Sequence, residues 1–140
     1  RDELRDLRKE LKKREKGAVT ELLRSAQVVL CTVTGADEKA LNAEQFDLVV
    51  IDEAAQALEA ACWIPLLKGK RAVLAGDHKQ LPPTIKSERA ARDGLGVTLF
   101  DRLIQAHSEK ISRMLIVQYR MHTRIMEFFS NELYEGKLQA

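Results

Sequence analysis

Hydrophobic and polar positions change their spacing near Gln27. Before it, apolar residues recur at steps of mostly three or four between Lys, Arg and Glu, namely at Leu4, Leu7, Leu11, Ala18, Leu22 and Leu23. This period predicts an amphipathic helix over residues 2–26. Its first half is so densely charged that we expect it to project from the body. Its second half, residues 18–26, has an apolar face that could dock.

After this helix, four short runs consist almost entirely of β-branched or aliphatic residues, at positions 28–34, 46–51, 71–75 and 114–117. Such runs suit strands that are buried on both faces of a parallel sheet. Helical spacing occurs in three further segments, at positions 54–67, 98–107 and 123–134. Gly136 follows the last of them, where a C-terminal cap is expected. Alternating strands and helices predict an α/β doubly wound fold.

Polar residues follow each apolar run directly, at Thr34 and Gly35, Asp52 and Glu53, 76–80, and 118–120. In open parallel sheets, ligands bind outside the carboxyl ends of the strands. We therefore expect these four clusters to share one edge of the sheet and to form the functional site.

Asp52 and Glu53 offer two carboxylates at the end of the most apolar run. The first could hold Mg²⁺ through water, and the second could orient or deprotonate an attacking water molecule. A structural alternative is that Asp52 caps the following helix and Glu53 lies in its first turn. The pair by itself does not decide between these interpretations.

The segment Gly76–Pro83 predicts a rigid polar loop, because Gly76 permits unusual backbone angles while Pro82 and Pro83 prevent a helix from starting. Gln80 could contact a terminal phosphate or the attacking water. A purely structural loop is the alternative. We expect His78 to stabilise the loop and Lys79 to be solvated.

A third polar segment, Gln118–His122, also follows an apolar run. Arg120 could bring its planar guanidinium to phosphate oxygens, or it could form an ordinary salt bridge. Tyr119 could lie against a nucleotide base or fill space between sheet and helix, and packing is slightly favoured. We expect His122 to be part of the local structure.

Length and composition limit the classes of protein to which the chain could belong. The 140 residues fit one domain, and 45% hydrophobic with 31% charged residues is typical of a globular chain. No apolar run approaches the roughly 20 residues of a membrane-spanning helix, so we expect no membrane partner. Cys31 and Cys62 do not have the spacing of metal ligands, so we expect both thiols to be buried. Free thiols indicate a reducing compartment, the cytoplasm and/or the nucleus. A net charge of +2 does not diagnose nucleic-acid binding.

Taken together, the motifs resemble superfamily 1 helicases, in the group that includes the nonsense-mediated-decay helicase and, in particular, the immunoglobulin mu-binding helicase. The resemblance extends over residues 26–139 and depends on Cys31–Ala36, Val49–Ala57, Ala75–Pro83, Gln118–His122 and Leu133–Leu138. Several motifs in the same order and spacing make coincidence improbable.

The resemblance implies a RecA-like first motor domain at residues 26–140, which would hydrolyse ATP to move along single-stranded RNA or DNA and to separate duplexes. Asp52 would serve Mg²⁺, Glu53 would be the catalytic base, and Gln80 and Arg120 would contact the γ-phosphate. Tyr119 is the candidate for base contact. Thr32, Thr34 and Gly35 would lie on the nucleic-acid side. Residues 1–25 would be a stalk that returns from an inserted β-barrel.

One departure from the family pattern is serious. The 140 residues contain no Gly-x-x-x-x-Gly-Lys-Ser/Thr loop to cradle phosphates, and no second motor domain. We therefore expect an incomplete sheet that lacks the phosphate-loop strand. The rest of the helicase, with that strand, the barrel insertion and the second motor domain, would be the chain's partner. Alone, the chain should be marginally folded and bind ATP weakly. A non-enzymatic, truncated or degenerate module that binds a partner or nucleic acid is the alternative.

Overall fold

The computed structural model describes residues 2–107 and 110–140. Its helices are α1 Asp2–Ser25, α2 Glu59–Leu66, α3 Glu88–Ala90, α4 Leu99–His107 and α5 Thr123–Leu133, and its strands are β1 Val49–Ile51 and β2 Ala72–Leu74. Short 3-10 turns lie at Thr34–Asp37, Lys39–Leu41 and Ala54–Gln56, and a π-helical turn, Ala91–Leu95, follows α3. The helices predicted at 2–26, 98–107 and 123–134 are confirmed.

Strands β1 and β2 pair in parallel, with Val49 opposite Ala72 and Ile51 opposite Leu74. A further parallel bridge between Phe46 and Gly69 continues the same register. Helix α2 lies between the two strands in sequence, so the unit is a β-α-β crossover. The α/β class and the parallel pairing are confirmed, and the sheet of the described residues has two strands.

The core lies where α2 and α4 cover these strands. Ile51, Ala54, Cys62 and Leu99 are buried together, and Leu103 packs against them. The buried Thr98 begins α4, because its Oγ1 accepts the N–H of Asp101 at 3.0 Å and donates to Oδ2 of the same residue at 2.7 Å. This reciprocal cap fixes the start of a helix whose apolar face reaches the core.

A salt bridge joins α2 and α4 at the rim of the core. The Arg102 guanidinium donates to both oxygens of Glu59, at 2.6 and 3.0 Å, and Trp63 donates its indole N–H to Glu59 at 3.2 Å. These bonds, first from Arg102 and then from Trp63, lower the pKa of Glu59. Trp63 is 45% exposed, so it lies at the rim of the core rather than within it.

Two of the four predicted strands are wrong. Residues 28–34 are irregular up to the turn at Thr34, and Leu30 is 91% exposed. Of residues 114–117, Val117 makes one bridge to Gln139, while Leu115 is 88% exposed. An apolar run becomes a strand only when a neighbour takes its N–H and C=O groups. Among the described residues, no strand pairs with 28–34. Cys31, predicted to be buried, is exposed with it, whereas Cys62 is buried as predicted.

Helix α1 projects as predicted. Of its described side chains, Leu23 alone is half-buried, and the apolar positions Leu4, Leu7 and Leu11 are exposed. The expected docking of its second half is therefore limited to Leu23 and a 3.9 Å ion pair between Arg24 and Glu44. In the described part of the chain, no helix combines the length and apolar character that crossing a membrane requires.

Both ends of α5 are capped. At its start, Nδ1 of His122 accepts the N–H of Arg124 at 3.3 Å, which confirms a local structural role for His122. At its end, the chain turns through Gly136 (φ 72°), whose N–H donates to the C=O of Ser130 at 2.8 Å. The predicted glycine cap is confirmed, and it fixes the position of Tyr134 just beyond the helix.

Candidate functional site

The turn after β1 presents two exposed carboxylates. Asp52 Oδ1 accepts the N–H of Glu53 at 3.0 Å, and Glu53 has left-handed backbone angles (φ 53°, ψ 36°). Neither side chain caps a helix: no side-chain cap is present at the 3-10 turn Ala54–Gln56, and α2 begins after Leu58. The helix-capping alternative for this pair is therefore wrong. Glu53 Oε2 accepts a hydrogen bond from the Gln56 amide at 2.9 Å, which orients the carboxylate.

This turn lies directly against the start of the Gly76–Pro83 loop. Ala54 donates its N–H to the C=O of Ala75 at 2.8 Å, and Ala75 donates to the C=O of Ile51 at 2.8 Å. A Cβ on Gly76 would lie 2.8 Å from the backbone nitrogen of Ala55. Gly76 is therefore needed for close approach rather than for an unusual φ. Two of the four predicted clusters therefore share one edge, whereas those at Thr34–Gly35 and 118–120 do not follow strands of the described sheet.

Asp77 organises the loop. Its Oδ1 accepts the N–H of Lys79 at 3.0 Å, and its Oδ2 accepts from the Gln80 amide at 2.8 Å and from the Tyr134 hydroxyl at 2.5 Å. Burial raises the pKa of Asp77, but the bonds from Tyr134, Gln80 and Lys79 together outweigh it, and the net shift is downward. The pKa of Tyr134 is raised, first by burial and then by its bond to Asp77.

Lys79 ties the same loop to the end of α5. Its Nζ donates to the C=O of Leu133 and lies 5.6 Å from the centre of the Tyr134 ring. Lys79 is exposed, as predicted, but it also contacts the end of α5. The His78 ring lies 6.3 Å from that of Phe100 on α4, as expected for a residue that stabilises the loop.

The side chain of Gln118 shapes the third segment. Its Oε1 accepts the N–H groups of Arg120 and Met121 at 3.0 and 2.7 Å, and its Nε2 donates to the C=O of Met121 at 2.9 Å. Tyr119 is 93% exposed, so its packing alternative is wrong. Within residues 2–107 and 110–140, the exposed Arg120 guanidinium has no ion-pair partner, so the alternative salt bridge is absent there. The turn holds both side chains outward.

The remaining clusters are less closely connected. Helix α5 links the Gln118–His122 turn to the Asp77 loop through its two ends. Thr32 Oγ1 accepts the N–H of Gly35 at 3.0 Å, and the turn that begins at Thr34 packs on α2. No hydrogen bond between described residues joins Thr32, Thr34 or Gly35 to Asp52, Glu53 or Gln80. Their assignment to nucleic acid remains a prediction.

A water-mediated Mg²⁺ contact fits Asp52. Mg²⁺ keeps several waters and is commonly held by one or two carboxylates together with substrate phosphates. One oxygen of Asp52 bonds to Glu53 N–H, which leaves the other available in the described structure. In the same part of the chain, no group of three His, Cys, Asp or Glu side chains could hold a metal by itself. The residues therefore fit a metal that arrives with phosphates.

Sequence reasoning included Asp77 and Gln118 in the candidate clusters without giving them roles of their own, and it missed Tyr134. For Asp77 a local signal existed, because an Asp that bonds to the N–H two residues later is a known turn former. Tyr134 stands 57 positions from Asp77 and carries no such signal. Its role becomes visible only when α5 packs beside the loop.

The comparisons with known proteins agree with this geometry. A family described as "AAA domain" matches residues 1–88, and a second family of the same description matches residues 95–140. DNA-binding protein SMUBP-2 of Rattus norvegicus is 53% identical over 144 residues, which cover 100% of this chain and 15% of that protein.

Two further relatives carry helicase or decay-related names. DNA polymerase alpha-associated DNA helicase A of Schizosaccharomyces pombe is 42% identical, over 96% of this chain and 20% of its own length. The regulator of nonsense transcripts 1 homolog of Neurospora crassa is 46% identical, over 94% and 12%. The chain thus spans about a fifth or less of these three relatives.

The parallel β-α-β unit with acidic and polar turns at one edge defines the class, an α/β domain. The chain belongs to the AAA-domain family, among the superfamily 1 helicases that include SMUBP-2 and the regulator of nonsense transcripts 1. The family resemblance drawn from the motifs is confirmed.

Proposed function

We propose that the chain is a segment of an ATP-dependent nucleic-acid helicase, in which ATP hydrolysis drives translocation along a single strand and unwinding of duplexes. The observation that carries this proposal is the backbone contact between the Asp52–Glu53 turn and the Gly76–Pro83 loop. It sets an exposed pair of carboxylates beside a loop that holds an exposed amide. Phosphoryl transfer to water uses such groups for positioning and charge stabilisation.

Each group has a task that its surroundings permit. When bound, Mg²⁺ neutralises charge on the phosphates, and Asp52 would hold it through water. Glu53, steadied through one oxygen by Gln56, would accept a proton from the attacking water with the other. The Gln80 amide would contact the γ-phosphate or that water. Arg120 would meet phosphate oxygens with its exposed guanidinium, and the exposed Tyr119 would lie against the base.

The proposed partners are inferred from the helicase motifs that the chain lacks and from the apolar side chains that its sheet exposes. The phosphate-loop strand, the barrel insertion and the second motor domain would come from the rest of the helicase. Val50 and Val73 face each other across the two strands yet are 60% and 50% exposed, as expected of a sheet that packs against more protein. Single-stranded RNA or DNA would contact Thr32, Thr34 and Gly35. A nucleic-acid motor of this kind would act in the cytoplasm and/or the nucleus.

The test is nucleic-acid-stimulated ATP hydrolysis by the full-length protein that carries this chain, with Glu53→Gln. Loss of a general base should lower kcat about 100-fold or more. Affinity for ATP should be retained, since the substitution keeps the shape of the side chain. Glu88→Gln, an exposed acid at the start of α3, is the matched control and should turn over like wild type. Normal turnover by Glu53→Gln would contradict the proposal, and nucleic-acid binding without any hydrolysis by the wild type would favour the non-enzymatic alternative.

A further inference from the structure

One carboxylate oxygen holds two partners that come from distant parts of the chain. Oδ2 of Asp77 accepts the Gln80 amide at 2.8 Å and the Tyr134 hydroxyl at 2.5 Å. The other oxygen, Oδ1, is taken by the N–H of Lys79. Asp77 therefore has bonds from three directions, and its side chain cannot rotate without breaking at least one of them.

This arrangement fixes which end of the Gln80 side chain is available. An ionised carboxylate only accepts hydrogen bonds, so the amide must turn its Nε2 toward Asp77. Its Oε1 is then the end left to accept a hydrogen bond from a water molecule. Gln80 is exposed, so without Asp77 the amide could rotate freely or present its nitrogen instead. The orientation in which Gln80 can accept a hydrogen bond from water thus depends on Asp77.

Tyr134 supplies the bond that Asp77 cannot obtain from its own loop. It stands directly after α5, where the Gly136 turn fixes the backbone, and it is half-buried. A hydrogen bond between a neutral hydroxyl and an ionised carboxylate is short and about twice as strong as one between neutral groups. Lys79 independently ties the loop to α5 through the C=O of Leu133. Removing the hydroxyl should therefore leave the loop in place but free the Asp77 side chain.

We infer that Tyr134 is a positioning residue for ATP hydrolysis, because its hydroxyl holds Asp77 and Asp77 in turn sets the orientation of the Gln80 amide. The inference rests on the proposed function, in which Gln80 contacts the γ-phosphate or the attacking water. Tyr134 itself touches no reacting atom. A positioning residue of this kind acts on the turnover of bound ATP rather than on its binding.

The experiment compares Tyr134→Phe, Gln80→Ala and the double variant in the full-length protein, with kcat, KM and thermal unfolding measured for each. Tyr134→Phe keeps the ring and removes only the hydroxyl. We expect kcat to fall about tenfold, as for loss of one hydrogen bond to a charged group, with KM changed less than about twofold. The double variant should be no slower than Gln80→Ala, since both changes remove the same function.

The matched control is Trp63→Phe, which also removes an aromatic donor from a carboxylate, that of Glu59, away from the loop. It should leave kcat unchanged. Rates are compared at a temperature at which thermal unfolding shows every variant to be folded, so that a loss of stability is separated from a loss of turnover.

Three outcomes would overturn the inference: wild-type kcat in Tyr134→Phe, multiplication of the two effects in the double variant, or an equal kcat loss in Trp63→Phe. In the first case, impaired turnover by Glu53→Gln and Gln80→Ala would show that the proposed function still holds. Conversely, normal turnover by Glu53→Gln would refute the proposed function whatever Tyr134→Phe does.

Discussion

The Tyr134 hydroxyl donates to Oδ2 of Asp77 at 2.5 Å, although the residues lie 57 positions apart in sequence. The bond joins the loop after β2 to the end of α5. Because α5 begins at Thr123, directly after the Gln118–His122 turn, this contact places two of the polar motifs on one connected framework. A substitution in one of these motifs should therefore have a measurable effect on the other motif.

Tyr134 should ionise above the ordinary tyrosine pKa of about 10. Its pKa is raised by burial and then by Asp77, so the folded state favours the neutral phenol. The resulting stabilisation is complete below pH ~10 and is lost as pH rises through the folded pKa. The measurement is tyrosinate absorbance against pH in the chain with Tyr119→Phe, in which Tyr134 is the remaining tyrosine.

Adding Asp77→Asn to that variant provides the control. The ionisation of Tyr134 should move down, because the substitution removes the hydrogen bond to the Asp77 carboxylate and its negative charge, while burial remains. An unchanged titration after removal of the carboxylate would show that Asp77 does not hold the hydroxyl.

Substituting Gly76 by alanine should destabilise the fold by about 1–3 kcal/mol, the usual cost of forcing atoms into a packed position. The new Cβ would stand 2.8 and 3.1 Å from the backbone nitrogens of Ala55 and Ala54, which cannot swing away like a side chain. Urea unfolding measures the change. Gly17→Ala is the control, for which the opposite effect is expected. No atom lies within 4 Å of a Cβ added at Gly17, and an alanine within α1 should stabilise the helix by about 0.5–1 kcal/mol. Equal effects at the two glycines would contradict the close approach.

The salt bridge between Arg102 and Glu59 should make the stability of the fold depend on pH in the acidic range. Arg102, and then Trp63, lower the pKa of Glu59, so its contribution is present above pH ~4.5 and is lost as pH falls through the lowered value. Arg102→Met should therefore cost stability at neutral pH, and the difference from wild type should shrink toward low pH. Unfolding at a series of pH values measures this difference. Arg89→Met, at a more exposed ion pair with Asp93, should show little of either effect.

The two cysteines should differ in reactivity. Cys31 is exposed in the irregular segment after α1, whereas Cys62 is buried and its pKa is raised, first by burial and then by Glu59. A thiol reagent at neutral pH should modify Cys31 rapidly and Cys62 only on unfolding. Mass spectrometry of the modified chain, with Cys31→Ser as the control, follows the reaction. Rapid double modification of the folded chain would contradict the burial of Cys62.

The helices were predictable because their signals are local. The spacing of apolar residues near Leu103 or Met126 and the glycine after α5 act within a few positions, and the structure follows them. The apolar runs at 28–34 and 114–117 have strand-like composition, but a strand also needs a neighbour that accepts its backbone groups. No local pattern tells whether that neighbour is in the chain.

The candidate site also has one part that the sequence predicts and another part that depends on tertiary structure. Motif order identified Asp52, Glu53 and Gln80 as a group, and the contact at Ala54 and Ala75 explains how two of the turns meet. The left-handed backbone of Glu53 and the bond between Asp77 and Tyr134 depend on tertiary packing. The spacing of apolar and polar residues in the sequence therefore does not predict them. The polar residues were predictable, but the framework that orients them was not.

The backbone at Glu53 has one more consequence. A left-handed conformation costs a side-chain-bearing residue on the order of 1 kcal/mol, and glycine avoids that cost. Selection for hydrolysis would hold an acid at position 53, whereas selection for stability alone would favour its replacement. Under the proposed function, a descendant that no longer needed hydrolysis would avoid this cost by replacing Glu53 with glycine. Position 53 is therefore one place where the sequence of such a descendant should show its change of role.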